Sequence, residues 1–381
     1  MIVDVHTHIF PFLGGASGFD SVATHVRYWQ RVQADAPSQT GRKKSDNSLV
    51  QGQRRALWDP TRPGPEGAID VNFRVAKYGR FEWTKDGEEF RLHQCAPSLQ
   101  DTEASPEYMI AEMDYAGIDR AVLQNMFLYG RLNKYFAEAV RQYPRRFIGQ
   151  AQILETQAHR ETQIEELRNA VGGLGLTGGL YFSDRRFWEN GFQDHIDDEK
   201  FFPLWEEVRG LGIPIFWCLS AVDYPAESAR SIHDRFMAQL RRLGRWIAEF
   251  PDIPCVLVHG LQLPAFTGDD GKVSIPDEVW ALLKKPNLYT EVLFPIQVSW
   301  PRPGTRTWDY PYQDAQPIIR DLYRTLGPEK LLWGSDMPFV ARNCTYRQSL
   351  DYLVRYCDFI SSTHMDMIVG DNAARLLKIG N

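Results

Sequence analysis

The chain has no long apolar run: nowhere in its 381 residues is there a stretch of the roughly 18 apolar residues that span a membrane. Nor is it basic. Lysine and arginine number 43 against 49 acidic residues, a formal charge of −6, which argues against the basic face that nucleic-acid binding needs. Cysteine is scarce. Cys95, Cys218, Cys255, Cys344 and Cys357 are odd in number, scattered, and form no CxxC, so they read as thiols of a reducing compartment and not as a disulfide framework. The first residues carry neither a basic stretch nor a small-residue cleavage site, and no secretory signal is expected. The expectation is a cytoplasmic protein with no membrane and no nucleic-acid partner.

What is present is globular: 43% hydrophobic and 24% charged residues. Eight short β-rich runs recur, at 2–8, 120–124, 147–153, 176–182, 213–219, 254–260, 287–293 and 330–336. Their interiors are almost continuously apolar, the pattern of parallel strands covered on both faces. Helix signals lie between them. Ser105-Pro106-Glu107 offers a cap, a proline at the first helical position and an early acid, and Gly117 offers a stop. "NKYFAEAVRQYP", "EKFFPLWEEVRGLG" and "DRFMAQLRRLGRWIAEFP" carry apolar residues at helical spacing and end at Gly or Pro. Eight alternating units over residues 1–381 predict one α/β domain, a (β/α)8 TIM-like barrel, with a doubly wound sheet as the less economical alternative.

Residues 10–104 break this rhythm. They form a long insertion after the first strand, rich in Trp and Arg (Trp29, Trp58, Trp83, Arg54, Arg55, Arg62, Arg74, Arg80) and without strong periodicity. On a barrel such a segment lies over the C-terminal mouth, as a lid that shapes a pocket. An oligomer contact or a partly disordered insert is the alternative.

The strand ends carry the chemistry. His6 and His8 alternate with Thr7, so both point to one side of the first strand. Cys218 ends the fifth strand, His259 the sixth and Asp336 the eighth. Each has an ordinary alternative as a core residue, but at four strand ends of a barrel they converge on one mouth. Imidazole, thiolate and carboxylate are the ligand types zinc prefers.

With "DVHTH", "AGIDRAVLQ", "YPRRFIGQAQI", "GIPIFW", "VLVHG", "LGPEKLLWGSDMPF" and "GDNAARLL", the chain resembles the amidohydrolase superfamily, in its branch typified by aminocarboxymuconate semialdehyde decarboxylase. The resemblance implies that His6, His8 and Asp336 are metal ligands and that His259 acts beside the metal. The fourth strand, "LTGGLYFSD", has no Lys or Glu to bridge a second ion, so one divalent ion is expected, Zn2+ with Mn2+ as the alternative. Where the family reads Pro-Val-x-x-His, this chain reads "PIFWC". Cys218 then either ligates as a thiolate, or stands beside a metal held by His6, His8, Asp336 and water, or marks a degenerate site. A second departure, "HGLQLP" after His259, bears on the loop there.

The implied activity is non-oxidative decarboxylation of a small aromatic or unsaturated carboxylic acid, with Asp336 and His259 handling the proton. Hydrolysis of a lactone or amide is the alternative within enzymes, and a non-catalytic binding protein the alternative outside them. Trp217, Phe294, Trp300 and Trp308 could wall a flat substrate, or simply pack the core. A small carboxylate substrate and a homo-oligomer, dimer or tetramer, are the expected partners.

Overall fold

The computed structural model describes residues 1–35, 40–62, 64–219, 229–268, 272–293 and 310–380. Among them are twelve strands, most of them separated by helices. Eight of the strands match the eight apolar runs: β1 (Val3–Thr7), β6 (Arg120–Leu123), β7 (Phe147–Gly149), β8 (Leu180–Ser183), β9 (Ile215–Cys218), β10 (Cys255–Leu257), β11 (Leu288–Val292) and β12 (Leu331–Trp333). All pair in parallel, in two sheets ordered β1-β6-β7 and β12-β11-β10-β9-β8. Single parallel bridges, Ala151↔Leu180 and Thr7↔Met337, run between the edges of the two sheets. The fold is therefore α/β with parallel sheets.

The helices between the strands form where the sequence predicts them. The helix Pro106–Ala116 is capped by the Ser105 hydroxyl, which accepts from Tyr108 N, and is ended by Gly117 in the left-handed conformation. Helices Asn133–Gln142, Phe202–Leu211 and Ala229–Glu249 follow. The helix layer defines the place of Trp217. Its ring lies 5.2 Å from Trp205 and 5.0 Å from Trp246, ring centre to ring centre, so it fills the space between β9 and two helices and is core, not a substrate wall. Phe294, Trp300 and Trp308 lie outside the described residues. No disulfide joins any of the five cysteines, and no helix among the described residues is long and apolar enough to cross a membrane.

Residues 10–104 have more structure than their lack of periodicity predicts. They hold a helix, Val22–Asp35, and an antiparallel sheet ordered β2-β5-β4-β3, built from β2 (Arg42–Lys43), β3 (Arg74–Val75), β4 (Arg80–Lys85) and β5 (Glu88–His93). The β4–β5 hairpin turns on Asp86 and Gly87, both at positive φ (52° and 77°). That is the conformation an Asp-Gly pair favours in a two-residue turn. Trp29, Phe81 and Trp83 of this segment are fully buried and pack with Phe73 and Phe90.

The chain turns sharply after β10, where His259 (φ 64°) and Gly260 (φ 63°) are both left-handed. A Cβ on Gly260 would stand 2.4 Å from the Glu291 carbonyl oxygen of β11. Gly260→Ala should lower stability by at least about 1–2 kcal/mol from the backbone conformation alone, read as a lower denaturation midpoint. An unchanged midpoint would show that the turn is not constrained in this way.

Candidate metal centre

His6 and His8 project from the same side of β1, and hydrogen bonds at Nδ1 fix both rings. His6 Nδ1 lies 2.8 Å from Glu291 Oε2. His8 Nδ1 lies 2.9 Å from the Gln124 carbonyl oxygen. A carbonyl only accepts, so His8 carries its proton on Nδ1, and the Glu291 carboxylate assigns the same tautomer to His6. Both Nε2 atoms then present lone pairs, 3.1 Å apart. Asp336 Oδ1 completes the triangle, 3.2 Å from His8 Nε2 and 3.6 Å from His6 Nε2.

Three acceptors turned toward one another repel unless a cation sits between them. Donors around one zinc ion at about 2.0–2.1 Å stand about 3.3 Å apart in tetrahedral geometry, and the three separations observed bracket that spacing. His259 approaches from β10, its Nε2 4.0 Å from Asp336 Oδ2. His6, His259 and Asp336 offer donor atoms that all lie within 4.8 Å of one another. The donor set therefore fits a divalent ion.

The electrostatics agree with acceptors kept ready. Burial, with His8 adding to it, lowers His6 to about 3. Burial and the neighbouring His6 lower His259 to about 3. Burial works against the Asp336 carboxylate, yet His6, His8 and His259 together hold it down to about 2. At neutral pH these shifts leave His6 and His259 as neutral imidazoles beside a carboxylate, the forms that ligate.

Two residues overlooked in the sequence organise the centre. Glu291, in β11, accepts from His6 Nδ1, from the His259 main-chain N–H (2.8 Å) and from Gln124 Nε2 (2.9 Å). Burial raises it to about 7 against those donors. Gln124, just after β6, also donates to the Val5 carbonyl (3.0 Å). A carboxylate and an amide within otherwise apolar strand runs were the only sequence signals for this pair. Asp4 does similar work on the other side. Its carboxylate accepts from the His6 and Ser335 main-chain N–H groups, the Ser335 hydroxyl and the Tyr346 hydroxyl, and so ties β1 to the turn that presents Asp336. Asp336 itself has φ 59°, a strained non-glycine conformation of the kind that clusters at functional sites.

Cys218 ends β9 as expected and is buried, but it does not belong to the group of His6, His259 and Asp336. Its thiol is hydrogen-bonded with the Tyr181 hydroxyl, on the neighbouring β8. Tyr129, after β6, packs its ring 4.6 Å from His8.

Because Glu291 fixes the His6 tautomer, Glu291→Gln should weaken metal binding about 10–100-fold, measured by competition with a chelator, with little change in the circular dichroism spectrum. Wild-type affinity in that variant would remove Glu291 from the centre.

The 2-amino-3-carboxymuconate-6-semialdehyde decarboxylase of Dictyostelium discoideum is 24% identical over 302 residues, which are 71% of this chain and 76% of that protein. Among solved structures, a probable 2-pyrone-4,6-dicarboxylic acid hydrolase from Acinetobacter baumannii, with citric acid bound, aligns with a TM-score of 0.52 at 18% identity, covering 73% of this chain and 90% of that one. A 2,6-dihydroxybenzoate decarboxylase from Rhizobium aligns with a TM-score of 0.52 at 18% identity, covering 72% and 88%. At such identities the two structures speak for the fold alone. The sequence profile of the family described as Amidohydrolase matches residues 3–379, and over that span the chain belongs to the amidohydrolase family of enzymes.

Proposed function

We propose that this enzyme is a metal-dependent, non-oxidative decarboxylase of a small aromatic or unsaturated carboxylic acid. The observation that carries the proposal is the triangle of His6 Nε2, His8 Nε2 and Asp336 Oδ1, with His259 at its open side. The decarboxylase relative, 24% identical over 71% of the chain, supports this reaction over others.

One divalent ion held by His6, His8 and Asp336 would polarise a substrate oxygen next to the carboxylate. Two imidazoles with one carboxylate favour zinc over manganese. Cys218, hydrogen-bonded with Tyr181, stands beside the ion and does not hold it. Asp336 and His259, a carboxylate and a neutral imidazole at neutral pH, are the groups that move the proton, which they take up from water or a substrate hydroxyl and pass on. In the reaction a proton is delivered to the carbon that bears the carboxylate, the bond between that carbon and the carboxylate breaks, its electron pair stays on the substrate carbon, and CO2 departs. The net change is replacement of the carboxylate by hydrogen, with no oxidant or reductant.

The two parallel sheets are read as one eight-stranded barrel, supported by the bridges Ala151↔Leu180 and Thr7↔Met337 and by hydrogen bonds from His8 N to Met337 O and from Asp336 N to His6 O. Residues 10–104 are read as a wall over its mouth, because Phe10 stacks on Tyr129 at 4.9 Å and Trp29 lies 5.9 Å from the same ring.

Incubated with a panel of hydroxybenzoates, the zinc-loaded enzyme should release CO2. Removing the ion by dialysis against a chelator should abolish that release, and added zinc should restore it. Opening of a pyrone or lactone without CO2 release would replace decarboxylation with hydrolysis. His6→Ala or Asp336→Ala should empty the site and abolish turnover while the protein stays folded. Full metal content and turnover in His6→Ala would refute the assignment.

A further inference from the structure

Among the described residues, the two most buried arginines are paired with acids. Arg31 forms an ion pair with Asp35 at 2.5 Å, and Arg186 pairs with Glu189 at 3.0 Å and with Glu155 at 3.7 Å. Arg342 departs from this rule beside the metal centre. It ends the short 3-10 helix Phe339–Arg342, which follows directly from Asp336, with Val340 N donating to Asp336 O at 3.1 Å. Its Nε donates to the Phe339 carbonyl at 3.2 Å and its Nη1 to the Gln94 carbonyl at 3.2 Å. Among the described residues, Nη2 has no hydrogen bond and no carboxylate pairs with the guanidinium.

Among the described residues, the guanidinium is thus held in place by neutral acceptors, with no carboxylate in ion-pair contact. Its carbon lies 5.2 Å from the centre of the Phe339 ring. Phe339 is 5.7 Å from Tyr129 and 6.2 Å from His8, so one aromatic layer joins the arginine to the metal-binding histidines. Burial lowers the Arg342 guanidinium below its usual range, and the Asp336 carboxylate is the first group to oppose that. A largely desolvated cation without an ion-pair partner is costly. A planar fork with one free edge beside a flat aromatic surface matches a carboxylate attached to a flat or unsaturated skeleton.

We propose that Arg342 binds a carboxylate of the substrate, and that residues 10–104 set its position through the Gln94 carbonyl. This rests on the reading of the centre as one that acts on a small organic acid. Gln94 is a positioning residue; Arg342 is the binding residue.

The test is calorimetric titration of the zinc-loaded enzyme with 2,6-dihydroxybenzoate and with 2,6-dihydroxybenzamide, which has the same ring without the charge. Arg342→Met should weaken binding of the acid about 10–100-fold and change that of the amide by no more than about twofold. Arg342→Lys should fall between, since the charge remains but the fork is lost. It also carries the acid-against-amide comparison if Arg342→Met does not fold. Equal weakening of acid and amide would make Arg342 structural and overturn the proposal. So would unchanged acid binding, or a wild-type enzyme that binds no hydroxybenzoate. CO2 release is read separately. Arg342-dependent binding without CO2 would leave Arg342 standing and remove decarboxylation, whereas CO2 release unaffected by Arg342→Met would do the reverse.

Discussion

Two imidazole rings with their Nδ1 protons already committed must turn lone pairs toward each other, and the rest of this structure is arranged to keep them there. Glu291 and the Gln124 carbonyl take the protons, and the Asp4 carboxylate fixes the backbone between β1 and the turn that presents Asp336. The arrangement is unfavourable in isolation, since three acceptors face one another in a buried space with no donor among them. Inserting a divalent ion converts that repulsion into coordination. The cost of building the site is thus borne by a fold whose strands are buried on both faces and cannot easily shift.

The segment 10–104 matters for the same reason. A barrel mouth open to water would screen the charges that the chemistry depends on. On the proposed reading, Phe10 and Trp29, packed against Tyr129, close one side with aromatic surface, and the Gln94 carbonyl reaches the arginine that follows Asp336. On that reading, the metal ligands, the proton-moving groups and a cation for the acid share one side of the molecule, although they come from β1, the turn after β10 and the turn after β12.

Much of this was legible in the sequence, and the reasons it was or was not are physical. Parallel strands covered on both faces need continuous apolar runs, so all eight could be found, although β7 and β10 are shorter than their runs suggest. Caps such as Ser105 and Gly117 act locally and were equally plain. The family was recognisable from His6, His8 and "GSDMP". Glu291 and Gln124 were overlooked because one polar residue in an apolar strand has many explanations, and only the neighbouring strands reveal which applies. The β4–β5 hairpin was a different case: Asp86-Gly87 between alternating runs is a local signal that could have been read. Arg342 could not have been, because the carbonyl that orients it lies 248 residues earlier in the chain.

The central claim is that His6, His8 and Asp336 hold one ion, with Cys218 apart from it. X-ray absorption spectroscopy on the protein as purified, together with its metal content, tests this most directly. The account predicts one zinc per chain, a first shell of nitrogen and oxygen at about 2.0–2.1 Å, and the outer-shell scattering of imidazole. A sulfur neighbour at about 2.3 Å, or a spectrum without imidazole scattering, would contradict it.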